Sequence, residues 1–273
     1  MTDTTGTPLL SLDDIHFTYP GTTAPVLRGA TLHLAQGDRL GLLGHNGSGK
    51  TTLLHIAMGL LRPESGTVHH RNAVAHDEAS LAALRRDIGF LFQNADDQLF
   101  CPTVLEDVAF GPLNLGLSPE QARERATQTL QGLGLEGFGA RVTHRLSGGE
   151  KKMVALASVL SMQPTALLLD EPTNDLDPAT RQRLIDVLNR MSATHIIISH
   201  DWDFLARTCT TFLTVDDGIV RTSRHTPHVH THIHHGGEVA HEHPSRGCCH
   251  QHDGSHHHAG HDDDHPHTSQ TTE

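Results

Sequence analysis

The sequence predicts an α/β domain with a mostly parallel sheet covered on both faces, followed by a histidine-rich segment without a core of its own. Three observations carry this. Short aliphatic runs bounded by turn residues, Arg39–Leu43, Ile88–Phe92, Ala166–Leu169 and His195–Ser199, read as buried strands. Helical patterns lie between them, and strands alternating with helices close as a parallel sheet. Composition then breaks near residue 222: of 26 histidines, 10 precede it and 16 fall between His225 and His267.

Each helix has a physical start or stop. Thr51–Leu61 follows a glycine-rich loop and is broken by Pro63 and Gly66. Pro119–Leu133 opens on Ser118-Pro119-Glu120, a serine cap with proline in the first turn, and ends at Gly134. Glu150–Met162 and Pro178–Met191 complete the set. The stretch from about 95 to 160 lacks a convincing strand and reads as a helical lobe inserted into the sheet. Residues 1–221 are therefore expected to form one folded domain. From 222 to 273 large apolar side chains nearly vanish, so that segment cannot offset its own ordering entropy and is expected to be disordered without metal.

Composition excludes several functions. The formal charge is -12, so no basic stripe awaits nucleic-acid phosphates. No run approaches the ~20 apolar residues that span a bilayer, and Met1–Pro8 has no signal-peptide apolar region. A cytoplasmic protein is expected, with partners supplying any membrane spans. Cys101 and Cys209 stand alone and read as buried thiols, whereas Cys248 and Cys249 sit among histidines.

Chemistry enters at Gly44-His45-Asn46-Gly47-Ser48-Gly49-Lys50-Thr51, which fits the phosphate-loop pattern between a strand and a helix. Glycines permit positive φ, so successive N–H groups can turn inward around an anion, and the helix start adds its positive dipole end. Lys50 would reach the β- and γ-phosphates of ATP, Thr51 Oγ would ligate Mg²⁺, and Thr52 completes the nucleotide set. A second signal is Ala166–Leu169 running into Asp170-Glu171. Charges at the carboxyl end of a buried strand sit where open α/β sheets bind ligands. Asp170 would hold Mg²⁺, and Glu171 would polarise a water for attack on the γ-phosphate.

Between these motifs stands Leu146-Ser147-Gly148-Gly149-Glu150. Alone it is a good helix cap. Behind a phosphate loop and before an aliphatic-Asp-Glu strand, it resembles the signature of the ABC ATPases. The resemblance covers nearly all of residues 9–221 and implies a RecA-like P-loop nucleotide-binding domain. It implies that Tyr19 stacks on adenine and that Gln93 is the glutamine sensing Mg²⁺ and water. Asn174–Asp177 becomes the loop that includes Asp177, and His200 the switch histidine. It also implies a homodimer or a heterodimer with a second such ATPase. There Ser147, Gly148 and Gly149 cap the γ-phosphate held by the opposite protomer.

A narrower likeness, to energy-coupling-factor ATPases of cobalt, nickel and vitamin importers, rests on Phe92–Phe100, Thr103-Val104 and Glu106–Pro112. It implies that residues 93–112 receive a transmembrane coupling subunit at the cytoplasmic face of the membrane, with a metal-binding membrane subunit nearby. Many members continue into a folded C-terminal extension, and this chain has a histidine-rich segment there.

That segment holds His228, His230, His232 and His234, then Cys248, Cys249, His250 and His252, then His256, His257 and His258. Imidazole and thiolate suit nickel, cobalt, zinc and copper, and the irregular spacing fits several exchanging sites better than one closed cage. Nickel is the first expectation for the cargo and cobalt the second. Zinc, a vitamin, or a soluble ABC ATPase outside transport are the other readings.

Overall fold

The computed structural model describes residues 8–191 and 194–223. In chain order the strands are β1 (Pro8–Phe17), β2 (Leu27–Ala35), β3 (Arg39–Leu43), β4 (Ser65–His70), β5 (Ala73–Val74), β6 (Ile88–Leu91), β7 (Ala166–Asp170), β8 (Thr194–Ile198), β9 (Thr211–Asp216) and β10 (Ile219–Thr222). The helices are α1 (Lys50–Ala57), α2 (Glu78–Asp87), α3 (Val104–Asn114), α4 (Pro119–Gly132), α5 (Gly148–Leu160), α6 (Pro178–Met191) and α7 (Trp202–Thr208).

Two sheets form where the sequence suggested one. A six-stranded sheet runs β10-β9-β3-β8-β7-β6, parallel except for the β9–β10 hairpin. A separate four-stranded antiparallel sheet runs β2-β1-β4-β5. The expected mostly parallel sheet is the six-stranded one; the antiparallel sheet is an addition to it, and its cause is visible in β2. Leu27, Ala30, Leu32 and Leu34 are buried while Arg28, Thr31 and His33 face out, the one-sided pattern of an antiparallel sheet.

The central strands are buried on both faces because their alternate residues serve different cores. Leu167 and Leu169 of β7 pack with α4–α6 and Phe204, whereas Ala166 and Leu168 pack with β1, β2 and α1. Phe204, in the first turn of α7, is fully buried. Phe204→Ala should lower unfolding free energy by about 3–5 kcal/mol, read by urea denaturation, and a loss below about 1 kcal/mol would show that the site collapses around the deletion.

Caps set the helices that matter here. Thr103 with Glu106, Ser118 with Gln121 and Ser147 with Glu150 form reciprocal capping boxes at α3, α4 and α5. Helix α1 stops at Ala57 rather than reaching Leu61. Gly59 turns to φ 64, and the Leu60 and Leu61 N–H groups fold back onto His55 O. Between β6 and β7 the chain makes α3, α4, α5 and two 3-10 turns, joined by one isolated bridge, Thr103 to Val142.

Candidate functional site

Parallel register brings the chemistry to one edge. Leu42 of β3 and Asp170 of β7 both pair with Ile198 of β8, and Leu91 of β6 pairs with Leu169. Strands β3, β6, β7 and β8 therefore end at about the same level. Just beyond lie Gly44, Gln93, Glu171 and His200, residues far apart in sequence. Open α/β sheets bind ligands at this edge.

A cleft of about 610 Å3 opens there, lined by Tyr19, Asn46, Gly47, Gly49, Lys50, Thr51, Thr52, Gln93, Asp170, Glu171 and His200. Val26, Asn174 and Ile198 also line it. Of these, Val26 and Ile198 carried no chemical signal in the sequence; they are ordinary apolar positions that the fold delivers to the cleft. Gly44, His45 and Ser48 shape the loop. At φ 144, Gly44 leaves no room for a side chain, since a Cβ would lie 2.5 Å from Val215 O and 2.7 Å from Ser48 Oγ.

Lys50 Nζ donates to Gly44 O (2.9 Å) and His45 O (3.0 Å), so the cation that faces the cleft also holds the loop closed. Burial lowers its pKa below the usual lysine value, opposed by Glu171 and Asp170. Thr51 Oγ1 donates to Asp170 Oδ2 at 2.7 Å, while Asp170 Oδ1 is buried without a hydrogen-bond partner. A buried carboxylate oxygen left open beside a threonine hydroxyl fits a hard divalent cation such as Mg²⁺. The Tyr19 hydroxyl and Thr52 Oγ1 lie 2.9 Å apart, which fixes the aromatic ring at the cleft mouth.

Glu171 sits at φ 47, a strained backbone for a side-chain-bearing residue, and its carboxylate is nearly buried. Its Oε2 accepts from the His200 N–H at 3.3 Å, and Oε1 lies 3.3 Å from His200 Nε2. Burial raises the Glu171 pKa above the ordinary carboxylate range, and His200 pulls the other way. Asp170 is raised too, again by burial.

Ser147, Gly148, Gly149 and Asp177 do not join this cleft. They line a separate depression of about 770 Å3 with Glu150, Asp175, Thr180 and Arg183. Ser147 caps α5, and Gly149 is forced by contact: a Cβ would come within 2.8 Å of Asp175 O. Asp177 spends its carboxylate on α6, accepting from Ala179 N, Thr180 N and Thr180 Oγ1.

Sequence reasoning missed a clamp behind the site. Arg181 on α6 grips both carboxylate oxygens of Asp201 and reaches Asp203 at 2.7 Å, tying the Asn174–Asp177 loop to the segment carrying His200. No local pattern announces that pairing, because its partners lie 20 and 22 residues apart.

The expected transition-metal ligands, His228 through His258 with Cys248 and Cys249, lie outside the described residues. Among the described residues no cluster of three or more His, Cys, Asp or Glu could hold a metal ion. No described helix is long and apolar enough to cross a membrane.

A phosphate loop, an aliphatic Asp-Glu strand and a capped Ser-Gly-Gly helix on this two-sheet scaffold define an ATP-binding cassette. The chain belongs to the ABC transporter family, which matches over residues 27–174, and it is an ATPase of that class. It is similar to a Nitratidesulfovibrio vulgaris protein named as an ABC transporter ATP-binding protein, 99% identical over 273 residues and 100% of both chains. The energy-coupling factor transporter ATP-binding protein EcfA of Methanocaldococcus jannaschii is 44% identical over 201 residues, 72% of each chain. Among solved structures, the dimeric ATP-binding cassette MJ0796 in a post-hydrolysis state with ADP and Pi matches with a TM-score of 0.71 and 28% identity, over 79% of this chain and 99% of that one.

Proposed function

We propose that this chain is the ATP-hydrolysing subunit of an energy-coupling-factor importer, working as a dimer of two copies at the cytoplasmic face of a membrane. Its cargo in this reading is a transition metal, nickel first and cobalt second. The carrying observation is the cleft in which the phosphate loop, Asp170, Glu171, Gln93 and His200 converge. The likeness to EcfA supports the importer class.

Each residue has a task in that reading. Lys50 and the loop N–H groups bind the phosphates, and Tyr19 packs the adenine. Mg²⁺, held by Thr51 and Asp170 with Gln93 beside them, would neutralise charge building on the β- and γ-phosphates. Glu171 takes a proton from the attacking water, and His200 holds Glu171 while facing the γ-phosphate. The Ser147–Gly149 helix start completes the site of the other copy, a division supported by its separation from this chain's own cleft. One chain carries both halves, so two copies suffice for two complete sites.

Phe100 is 66% exposed, and it stacks edge-on with Phe110, itself exposed like Leu113. Exposed aromatics within residues 93–112 support docking of a transmembrane subunit there. The metal cargo rests on the composition of residues 222–273. Equilibrium dialysis with Ni²⁺ tests it: the full chain should bind several ions and a chain ending at 221 none, with ATPase activity equal in both. Equal binding by both chains would remove the basis for a metal cargo.

A further inference from the structure

Lys152 is buried to 3% exposure one turn into α5, and a lysine is almost never fully buried without a partner. Among the described residues it has no carboxylate within salt-bridge distance. Its ammonium donates instead to two backbone oxygens, Gln93 O at short range and Phe92 O at 3.3 Å. Burying an ammonium costs several kcal/mol, so a placement whose direct contacts are two carbonyls calls for a reason. Asp170, Asp175 and Glu171 bear on it from farther off, and desolvation still wins, lowering its pKa.

The same segment is fastened to α5 twice more. Lys151 Nζ reaches Asp96 Oδ1 at 2.6 Å, and Gln98 Nε2 donates to Ala155 O at 2.8 Å while Gln98 Oε1 accepts from Phe92 N. Ties at the adjacent Lys151 and Lys152, and at Ala155 about a turn further on, make residues 92–98 part of the body of α5. That helix also begins at Ser147–Gly149, the half-site assigned to the opposite nucleotide.

We propose that Lys152 is a positioning residue: by holding the Gln93 carbonyl it makes the glutamine of one nucleotide site and the helix start that caps the other site move as one piece. This rests on the roles given above to Gln93 and Ser147–Gly149. Lys152 touches no nucleotide. It acts through the backbone it holds.

The test is steady-state ATPase kinetics of full-length Lys152→Met, Lys152→Arg, Gln93→Ala and the double variant Gln93→Ala/Lys152→Met, each with a melting curve. A reacting group displaced by about an ångström costs up to about a hundredfold, so Lys152→Met should lose roughly tenfold or more in kcat with KM for ATP changed less than about twofold. Lys152→Arg, which keeps the charge, should recover most of that loss. The double variant should be no slower than Gln93→Ala alone, because both substitutions remove one function. A double variant whose losses multiply, or an arginine variant as slow as the methionine variant with an equal fall in Tm, overturns the proposal and leaves the site reading intact. Wild-type kcat in Gln93→Ala overturns the assignment of Gln93 itself, and the proposal with it.

Discussion

Glu171→Gln is expected to lower kcat for ATP by about 10²- to 10⁴-fold, the usual worth of a general base, while ATP binding persists. Glutamine preserves shape and still offers an oxygen to the His200 N–H, so the fold around the strained turn at residue 171 should survive. What it removes is the proton acceptor of the proposed mechanism. The pH profile adds an independent check with a definite sign. The base works only when ionised, and burial raises its pKa above the ordinary carboxylate value. Activity should therefore fall on acidification through that raised pKa, giving an acid limb nearer neutrality than a free glutamate would give. The limb should vanish from the residual activity of Glu171→Gln. A variant retaining most of its kcat, or keeping the same acid limb, would assign the base elsewhere.

Lys50→Ala should weaken ATP binding by about tenfold to a hundredfold or more. Each charge-assisted hydrogen bond contributes about 1.5–3 kcal/mol, and about 1.4 kcal/mol is a tenfold change. Two losses add here. The ammonium no longer meets the phosphates, and Gly44 O and His45 O lose the donor that draws the loop into shape. Titration with a fluorescent ATP analogue reads the effect directly. Unchanged affinity, with the loop intact by melting curve, would mean the phosphates do not sit over Lys50.

Much of this site is legible in the sequence because its residues are tied to short, local geometry. A glycine-rich loop before a helix, or two acids ending an aliphatic strand, declares its backbone setting within eight residues. The four central strands and the helices at 119 and 178 are legible for the same reason, since buried parallel strands read as unbroken aliphatic runs. The antiparallel sheet was missed because β1 mixes the acids Asp13 and Asp14 into its apolar residues. Its partner β4 is Ser-Gly-Thr-Val-His-His, with a single large apolar side chain. Neither looks like a strand until its neighbours bury one face. Helix α3 was hidden by Gly111 and Pro112, breakers that its capped start at Thr103 and its packing on α4 and α5 override.

What the sequence could not supply was distance. Ser147–Gly149 stands between the two nucleotide motifs in the chain yet opens onto its own depression in the fold, a separation that the family resemblance implied but that no residue pattern in this chain supplies by itself. Lys152 shows the same limit. Beside Glu150 and Lys151 it reads as one more solvated charge on a helix, and only burial against Gln93 O distinguishes it.

Sedimentation equilibrium of the full-length Glu171→Gln chain, with and without Mg-ATP, bears most directly on the claim that one chain holds two half-sites. One chain has a mass of 29.7 kDa. The account predicts that mass without nucleotide and twice that mass with saturating Mg-ATP, since ATP bound in one cleft should bridge to Ser147–Gly149 of a second copy. A single-chain mass at saturating Mg-ATP, with nucleotide demonstrably bound, would contradict it.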